Sequence, residues 1–172
     1  MIDGTIIRVP SNQRDIRRSA DGGALDDTNR KLLAELQDDA RLSLAELGRR
    51  VGLSSPAVAE RLQRLESEGC ITGYRTDVDP KALGYTLSAV IRVRPASRQL
   101  QRVADLARSS SEVVECHRIT GEDCFFMKAH VRSIEHLEEL IDRFTPYGQT
   151  TTSIIQSSPV PQRGPAVPPA AA

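Results

Sequence analysis

The sequence is poor in aromatic residues: it has no tryptophan, three tyrosines and three phenylalanines among 172 residues. A surface that stacks the bases of single-stranded nucleic acid needs several exposed rings, so the composition argues against one. The formal net charge is zero, because 23 basic residues balance 23 acidic ones. The overall charge therefore indicates no polyanionic partner, and any basic surface has to be local.

Long apolar runs are also missing, since no stretch approaches the roughly 18 apolar residues of a membrane-spanning helix. The N-terminal segment lacks the apolar core and the small-residue cleavage site of a secretory signal. The three cysteines, Cys70, Cys116 and Cys124, are too few and odd in number for a disulfide framework. These features predict a cytoplasmic protein.

Two irregular ends flank two patterned regions. Residues 1–23 are polar and predict a disordered tail, and residues 158–172 contain five prolines and predict a second, Pro/Ala-rich one. Residues 24–70 have a helical apolar period. Residues 71–84 are expected to form a hinge strand and a linker, and residues 85–157 a second domain with alternating strands and helices.

Three short helices are indicated in the first domain. The first follows an N-cap at Asp26 or Asp27, the second begins at Ser43, and the third is capped by Ser55 just before a proline. Glycine lies in the turn between the second and third helices, which is typical of a helix-turn-helix. The third helix of such a motif lies in the major groove of DNA.

Charge in this domain depends on the segment that is counted. Residues 24–84 hold nine basic and eleven acidic residues, a net charge of −2, which argues against a generally basic surface. Residues 41–64 hold five arginines against two glutamates, a net charge of +3. The local excess of arginine coincides with the second and third helices.

The third helix supplies the candidate DNA contacts. With Val58, Leu62 and Leu65 facing inward, Arg61 and Arg64 are expected on one exposed flank, where Arg61 would reach a base edge and Arg64 a phosphate. The alternative is that these arginines only solvate the helix. The candidate DNA-binding residues are Arg41, Ser54, Ser55, Ala57, Arg61 and Arg64.

The second domain shows the order β-α-β-β-α-β of a ferredoxin-like fold, so the whole chain is predicted to be α+β. Two helices would cover one face of the sheet, and the other face is expected to carry apolar residues that need a partner. The predicted elements are strands at Tyr85–Arg94, Val113–Ile119, Cys124–Val131 and Thr150–Gln156, and helices at Gln99–Ser109 and Ile134–Phe144.

A tight turn, Thr120–Cys124, joins the two central strands of this pattern. Gly121 permits a positive φ and exposes backbone N–H groups that bind a carboxylate, while Glu122 and Asp123 offer acceptors for an ammonium group. A zwitterionic amino acid needs both kinds of partner. The alternative is an ordinary polar hairpin tip.

No residue set carries a reaction or holds a cofactor. The cysteines and histidines show no C-x₂-C or H-x₃-H spacing, and Cys116 and His117 alternate across a strand, so no metal site is predicted. No nucleophile-base pair or phosphate-binding glycine loop is present. The ferredoxin-like fold also occurs in enzymes, but this sequence is predicted not to be one.

Residues 25–157 resemble the Lrp/AsnC family of feast/famine regulators, through GLSSPAVAERLQRLESEGCITGY and TGEDCFFMKAHV above all. The resemblance implies a winged-type helix-turn-helix, a hinge strand, and an effector-binding RAM domain that dimerises through its sheet. It further implies that homodimers assemble into larger rings, with an octamer as the expected size.

The resemblance also extends the candidate effector site. Members of the family use the Thr120–Cys124 turn at an interface between dimers, and a neighbouring subunit often supplies side chains from the last strand. The usual motif is close to G-D-Y-D-Y, whereas this chain has Asp123 at the aromatic position and Cys124 at the second acid, which leaves the ligand open. The candidate effector-binding residues are Gly121, Glu122, Asp123, Cys124, Gln149, Thr150 and Thr152.

The sequence thus predicts a sequence-specific DNA-binding regulator of transcription that responds to an amino acid or a related metabolite. Its expected partners are double-stranded DNA, the small effector and further copies of the chain, without a membrane. The alternative is a DNA-binding architectural protein of the same family that has no effector.

Overall fold

The computed structural model describes residues 25–168, in two separate units. The first unit comprises residues 25–76 and 162–168, and the second comprises Asp77–Pro161. The tail predicted at residues 1–23 lies outside the described residues. Within residues 25–168, none of the helices combines the length and the apolar character that a membrane crossing requires.

Three helices form the first unit: α1 (Asp27–Asp38), α2 (Leu44–Val51) and α3 (Ser55–Ser67). Each presents leucine or valine at helical spacing to a small common core, which confirms the helical pattern of the sequence. The buried core residues are Leu32, Leu47, Val58, Leu62 and Leu65.

The helix caps follow the sequence closely, with one shift. Asp26 accepts a hydrogen bond from the backbone N–H of Asn29 at the start of α1, and Ser43 accepts one from the N–H of Glu46 at the start of α2. The cap of α3 is Ser54, so the prediction of Ser55 was wrong by one residue. The Ser54 hydroxyl reaches the N–H three positions on, and Ser55 is the first helical residue.

The segment after α3 departs from the expectation of a hinge strand. Residues 71–79 form no strand, because a strand needs a neighbour for its backbone hydrogen bonds and no described strand runs beside them. No β-hairpin follows α3 within residues 68–76, so the described helix-turn-helix has no wing. A 3₁₀ turn at Pro80–Leu83 leads into the second unit.

The part of the proline-rich C-terminal segment at residues 162–168 belongs to the first unit and contacts α1. It forms no helix or strand, but Gln37 Nε2 donates to the carbonyl of Pro165 at 3.0 Å. Arg30 Nη1 donates to the carbonyl of Pro168 at 2.7 Å. Both donors lie on α1, and no pattern in the sequence indicates these contacts.

The second unit is a four-stranded antiparallel sheet with the order β2-β3-β1-β4, and two helices pack on one face. This arrangement confirms the ferredoxin-like α+β fold. The last strand starts two residues before the predicted position because Gly148 already pairs with Pro95. The elements are β1 (Leu87–Pro95), α4 (Leu100–Ser109), β2 (Val113–Arg118), β3 (Phe125–Val131), α5 (Ile134–Phe144) and β4 (Gly148–Ile154).

The two faces of the sheet differ in chemistry. Alternate residues of β1 and β3, such as Ile91 and Met127, are fully buried against α4 and α5. The open face was expected to carry apolar residues, and on β1 and β3 it carries two of them among polar neighbours. Half-buried Val90 and Phe126 alternate there with the charged or polar side chains of β1 and β3. Those polar residues are Ser88, Arg92, Arg94, Lys128 and His130.

Candidate functional site

The α2–turn–α3 segment has the geometry of a helix-turn-helix. Gly52 ends α2 in the left-handed region, with φ 75°, and its N–H donates to the carbonyl of Gly48. A side chain at Gly48 would collide with the carbonyl of Leu53, so glycine allows the turn to fold tightly against α2. This close approach holds the turn before α3 against α2.

Arg61 points from α3 towards α1. Its Nη1 atom lies 2.5 Å from Asp26 Oδ2 and 3.0 Å from Asn29 Oδ1. The hydrogen bond from Arg61 lowers the pKa of the Asp26 carboxyl below its ordinary value. Because Asp26 also caps α1, Arg61 connects α3 to the first turn of α1 through its Nη1 atom.

Arg64 is the more accessible of the two arginines, with its side chain 76% exposed. It forms an ion pair with Glu68 one turn later, at 2.9 Å. An exposed pair of this kind is weak and exchanges readily with a phosphate. Its exposure is compatible with the phosphate contact predicted from the sequence.

The remaining predicted DNA-binding residues lie at the start of α3 and before α2. Ser54 caps α3, and Ser55 and Ala57 are half-buried residues of its first turn. Arg41 is exposed in the loop between α1 and α2, where its backbone N–H donates to Asp39. The small side chains leave the N-terminal end of α3 open to a close approach.

The basic excess of residues 41–64 is largely paired within the unit. Glu46 accepts from both Arg49 and Arg50, and Arg50 also reaches Glu35 of α1 at 2.6 Å. Arg49 and Arg50 thus share one carboxylate on α2. The count of charges from the sequence overstates the free positive charge of this surface.

The Thr120–Cys124 turn has the backbone geometry predicted for it. Gly121 has φ 110°, which L side chains rarely adopt, and nothing else lies within 4 Å of the position of a side chain there. The turn is closed by the N–H of Ile119, which donates to the carbonyl of half-buried Cys124 at 3.0 Å. The hairpin tip is consequently open on the side of Gly121.

Two arginines of β1 neutralise the acids of this turn. Arg94 forms an ion pair with Glu122, and Arg92 Nη1 lies 3.7 Å from Asp123 Oδ2. Sequence analysis missed both arginines. The alternation of IRVR at the end of β1 was the signal that could have found them, because it puts both on one face at the end of the sheet that carries the turn.

The other candidate effector residues lie across β1 from the turn. Gln149 pairs with Arg94, Thr150 with Val93 and Thr152 with Ile91. Two strand spacings, roughly 10 Å, separate the start of β4 from the start of β3. The single chain thus brings these residues to one region of the sheet without joining them in one cluster.

Comparisons with known proteins agree with both parts of this geometry. Residues 25–66 match the AsnC-type helix-turn-helix domain, and residues 88–165 match the Lrp/AsnC ligand binding domain. The chain belongs to the Lrp/AsnC family. The helix-turn-helix is therefore the DNA-binding part of a transcription regulator, and the protein is not an enzyme.

Relatives in the Lrp/AsnC family match over most of the chain. LrpC of Bacillus subtilis is 36% identical over 133 residues, which are 77% of this chain and 92% of LrpC. Its solved structure has a TM-score of 0.75 and is matched over 78% of this chain and 96% of its own. The solved structure of a feast or famine regulatory protein of Mycobacterium tuberculosis, complexed with L-methionine, has a TM-score of 0.74 and 33% sequence identity. The match covers 83% of this chain and 99% of that protein's chain.

Cysteine and histidine form no metal centre in the part of this Lrp/AsnC protein that the structure describes. No group of three or more potential ligands comes together in residues 25–168. His130 instead bonds to the hydroxyl of Ser88 on the open face of the sheet, at 2.8 Å. His136 bonds to Glu112 at 3.1 Å, next to Arg143.

Proposed function

We propose that this transcription regulator responds to an amino acid or a related small metabolite bound at the Thr120–Cys124 turn. The observation that supports this most directly is the combination of Gly121 in a positive-φ conformation with two acid–arginine pairs at the same turn. Backbone N–H groups beside Gly121, or the arginines, would hold the carboxylate. Glu122 and Asp123 would accept from the ammonium group.

The L-methionine complex of the Mycobacterium tuberculosis relative supports this chemistry, and so does a complex of a Neisseria meningitidis transcriptional regulator with the same amino acid. In this chain β1 lies between the turn-bearing strand β3 and the strand of Gln149, Thr150 and Thr152. We propose that a neighbouring subunit brings its own β4 to the turn and completes the pocket around Cys124. Occupancy then couples to assembly of homodimers into larger rings, of which an octamer is the proposed size.

The DNA-binding surface is proposed to comprise Arg41, Ser54, Ser55, Ala57, Arg61 and Arg64. Arg41 and Arg64 are exposed and would contact phosphates, which hold the protein in register without reading sequence. The small residues Ser54, Ser55 and Ala57 would let the helix backbone approach the groove. Arg61 would act chiefly by holding α3 against α1 through Asp26.

Calorimetry with the full-length protein and the common amino acids, beginning with L-methionine, tests the effector site. We expect heat of binding for the wild type, and for Asp123→Asn a loss of affinity of tenfold or more, because a charge-assisted hydrogen bond contributes about 1.5–3 kcal/mol. Asp142→Asn, an exposed acid on α5 of the same unit, is the matched control and should bind like the wild type. Gly121→Val should also abolish binding by forcing the turn out of its positive-φ geometry.

A second candidate function has its own observation. Arg92 and Arg94 already neutralise the two acids, so the turn is also stable as a structural hairpin tip without a ligand. The protein would then be an architectural DNA-binding member of the family. Absence of heat with every amino acid, together with DNA binding and an oligomeric state that none of them changes, would establish this alternative.

A further inference from the structure

The outward face of α3 differs from the flank on which the arginines lie. Val58, Leu62 and Leu65 are 0%, 8% and 1% exposed and define the inward side of the helix. Successive side chains of an α-helix are about 100° apart around the axis. Residues spaced by four, three and four positions, beginning at Pro56, therefore lie on one line along the side opposite this core. That line consists of Pro56, Glu60, Gln63 and Ser67, all exposed.

The two arginines lie to one side of this line. By the same rotation, Arg61 lies more than a quarter turn from its centre, towards α1, where Asp26 and Asn29 bind the guanidinium. Arg64 lies between Arg61 and the outward line and pairs along the helix with Glu68. If the outward face of α3 enters a DNA groove, Glu60 and Gln63 lie nearer to the base edges than either arginine.

Glu60 and Gln63 also have the chemistry that distinguishes base pairs. A glutamine amide donates to N7 and accepts from the N6 amino group of adenine, and a carboxylate accepts from the N4 amino group of cytosine. Within residues 25–168, neither side chain has a hydrogen-bond or ion-pair partner, although Glu60 lies close enough to Arg64 for their charges to interact. No hydrogen bond therefore has to break before either side chain reaches a base edge.

We infer that Gln63 and Glu60, rather than Arg61, determine the sequence preference of this regulator, with Gln63 reading an adenine and Glu60 a cytosine in each half-site. The inference rests on the proposed placement of α3 in the major groove. It gives the two sides of α3 different roles. The outward face reads bases, whereas on the arginine flank Arg61 holds α3 against α1 and Arg64 contacts a phosphate.

Selection of binding sites from a randomised duplex library tests this with the full-length protein. We expect Gln63→Ala to lose preference at one base pair per half-site and to bind the wild-type site about 5- to 100-fold more weakly. Its affinity for random DNA and its salt dependence should not change, because no charge is removed. Glu60→Gln should relax a different position, and Gln156→Ala, an exposed glutamine outside the helix-turn-helix, is the matched control.

Arg61→Ala provides the contrast. It should lower the melting temperature and weaken binding to all sequences by a similar factor, with the selected sequence unchanged. The inference is overturned if Gln63→Ala and Glu60→Gln select the wild-type sequence, or if Glu60→Gln merely tightens binding to every duplex by removing repulsion. Failure of the wild-type protein to select any site would instead contradict the placement of α3 in the groove, so the two failures are distinguishable.

Discussion

Arg61 and Asp26 show how one ion pair connects two helices of the DNA-binding unit. Asp26 accepts from its own helix, as the N-cap of α1, and from Arg61 of α3. Both interactions favour the carboxylate over the carboxylic acid, and the pKa of Asp26 is accordingly lowered. The charge of this residue is therefore linked to the stability of the unit.

Because the pKa of Asp26 is lower in the folded than in the unfolded chain, its contribution to stability is fully present above the unfolded value, near pH 4. It is lost as the pH falls through the lower, folded value. We expect Asp26→Asn, which keeps a good N-cap, to melt at a lower temperature than the wild type at pH 7. The melting temperatures of the two proteins should converge as the pH falls below the folded pKa of Asp26.

The control for this experiment is Asp27→Asn, an exposed neighbour in the first turn of α1 for which no ion pair is present among the described residues. The melting temperature of Asp27→Asn should differ less from that of the wild type, and this difference should not depend on Arg61. If the difference in melting temperature between Asp26→Asn and the wild type persists unchanged at acidic pH, the charge of Asp26 is not the cause of that difference.

At the scale of elements, the pairing of β4 with β1 depends on one glycine. A side chain at Gly148 would overlap the carbonyl of Arg94 and the Cα atom of Pro95 on the adjacent strand, and these are backbone atoms that cannot move aside. Gly148→Ala is expected to destabilise the second unit by about 1–3 kcal/mol. Urea unfolding checks this against Ser153→Ala, an exposed position of the same strand. Equal midpoints for the two variants would contradict the close approach.

Helix and strand patterns were predictable from the sequence because local rules determine them. Ser43 and Gly52 mark the ends of α2 through hydrogen bonds within a few residues, and β-branched alternation marks β1. The partner of Arg61 was not predictable, since the helical period gives the direction of a side chain but not what a neighbouring helix offers it. The same limit explains why Arg92 and Arg94 were missed beside the Thr120–Cys124 turn.

At the scale of the whole molecule, two separate segments of the chain, one from each side of the second unit in sequence, form the first unit. Residues 162–168 return to α1 after the second unit is complete, and Gln37 and Arg30 bind their carbonyls. Deleting residues 162–172 is expected to lower the stability of the DNA-binding unit, because each lost hydrogen bond contributes about 0.5–1.5 kcal/mol. For a unit of this size the melting temperature should fall by several degrees.

A shorter deletion, of residues 170–172 alone, keeps the carbonyls of Pro165 and Pro168 within peptide bonds and should melt like the full chain. Gln37→Ala adds a further check, because it should destabilise the full chain but have little additional effect once residues 162–172 are gone. Equal melting temperatures for the two deletions would mean that the segment does not contribute to the stability of α1.

The return of the C-terminal segment also sets an order of events during synthesis. Arg30 and its acceptor Pro168 are 138 positions apart, which a ribosome covers in on the order of ten seconds. The three helices leave the ribosome first, yet the last contacts on α1 form only after the sheet of the second unit has been made. The DNA-binding unit therefore acquires the contacts of α1 with Pro165 and Pro168 only after the whole second unit has been synthesised.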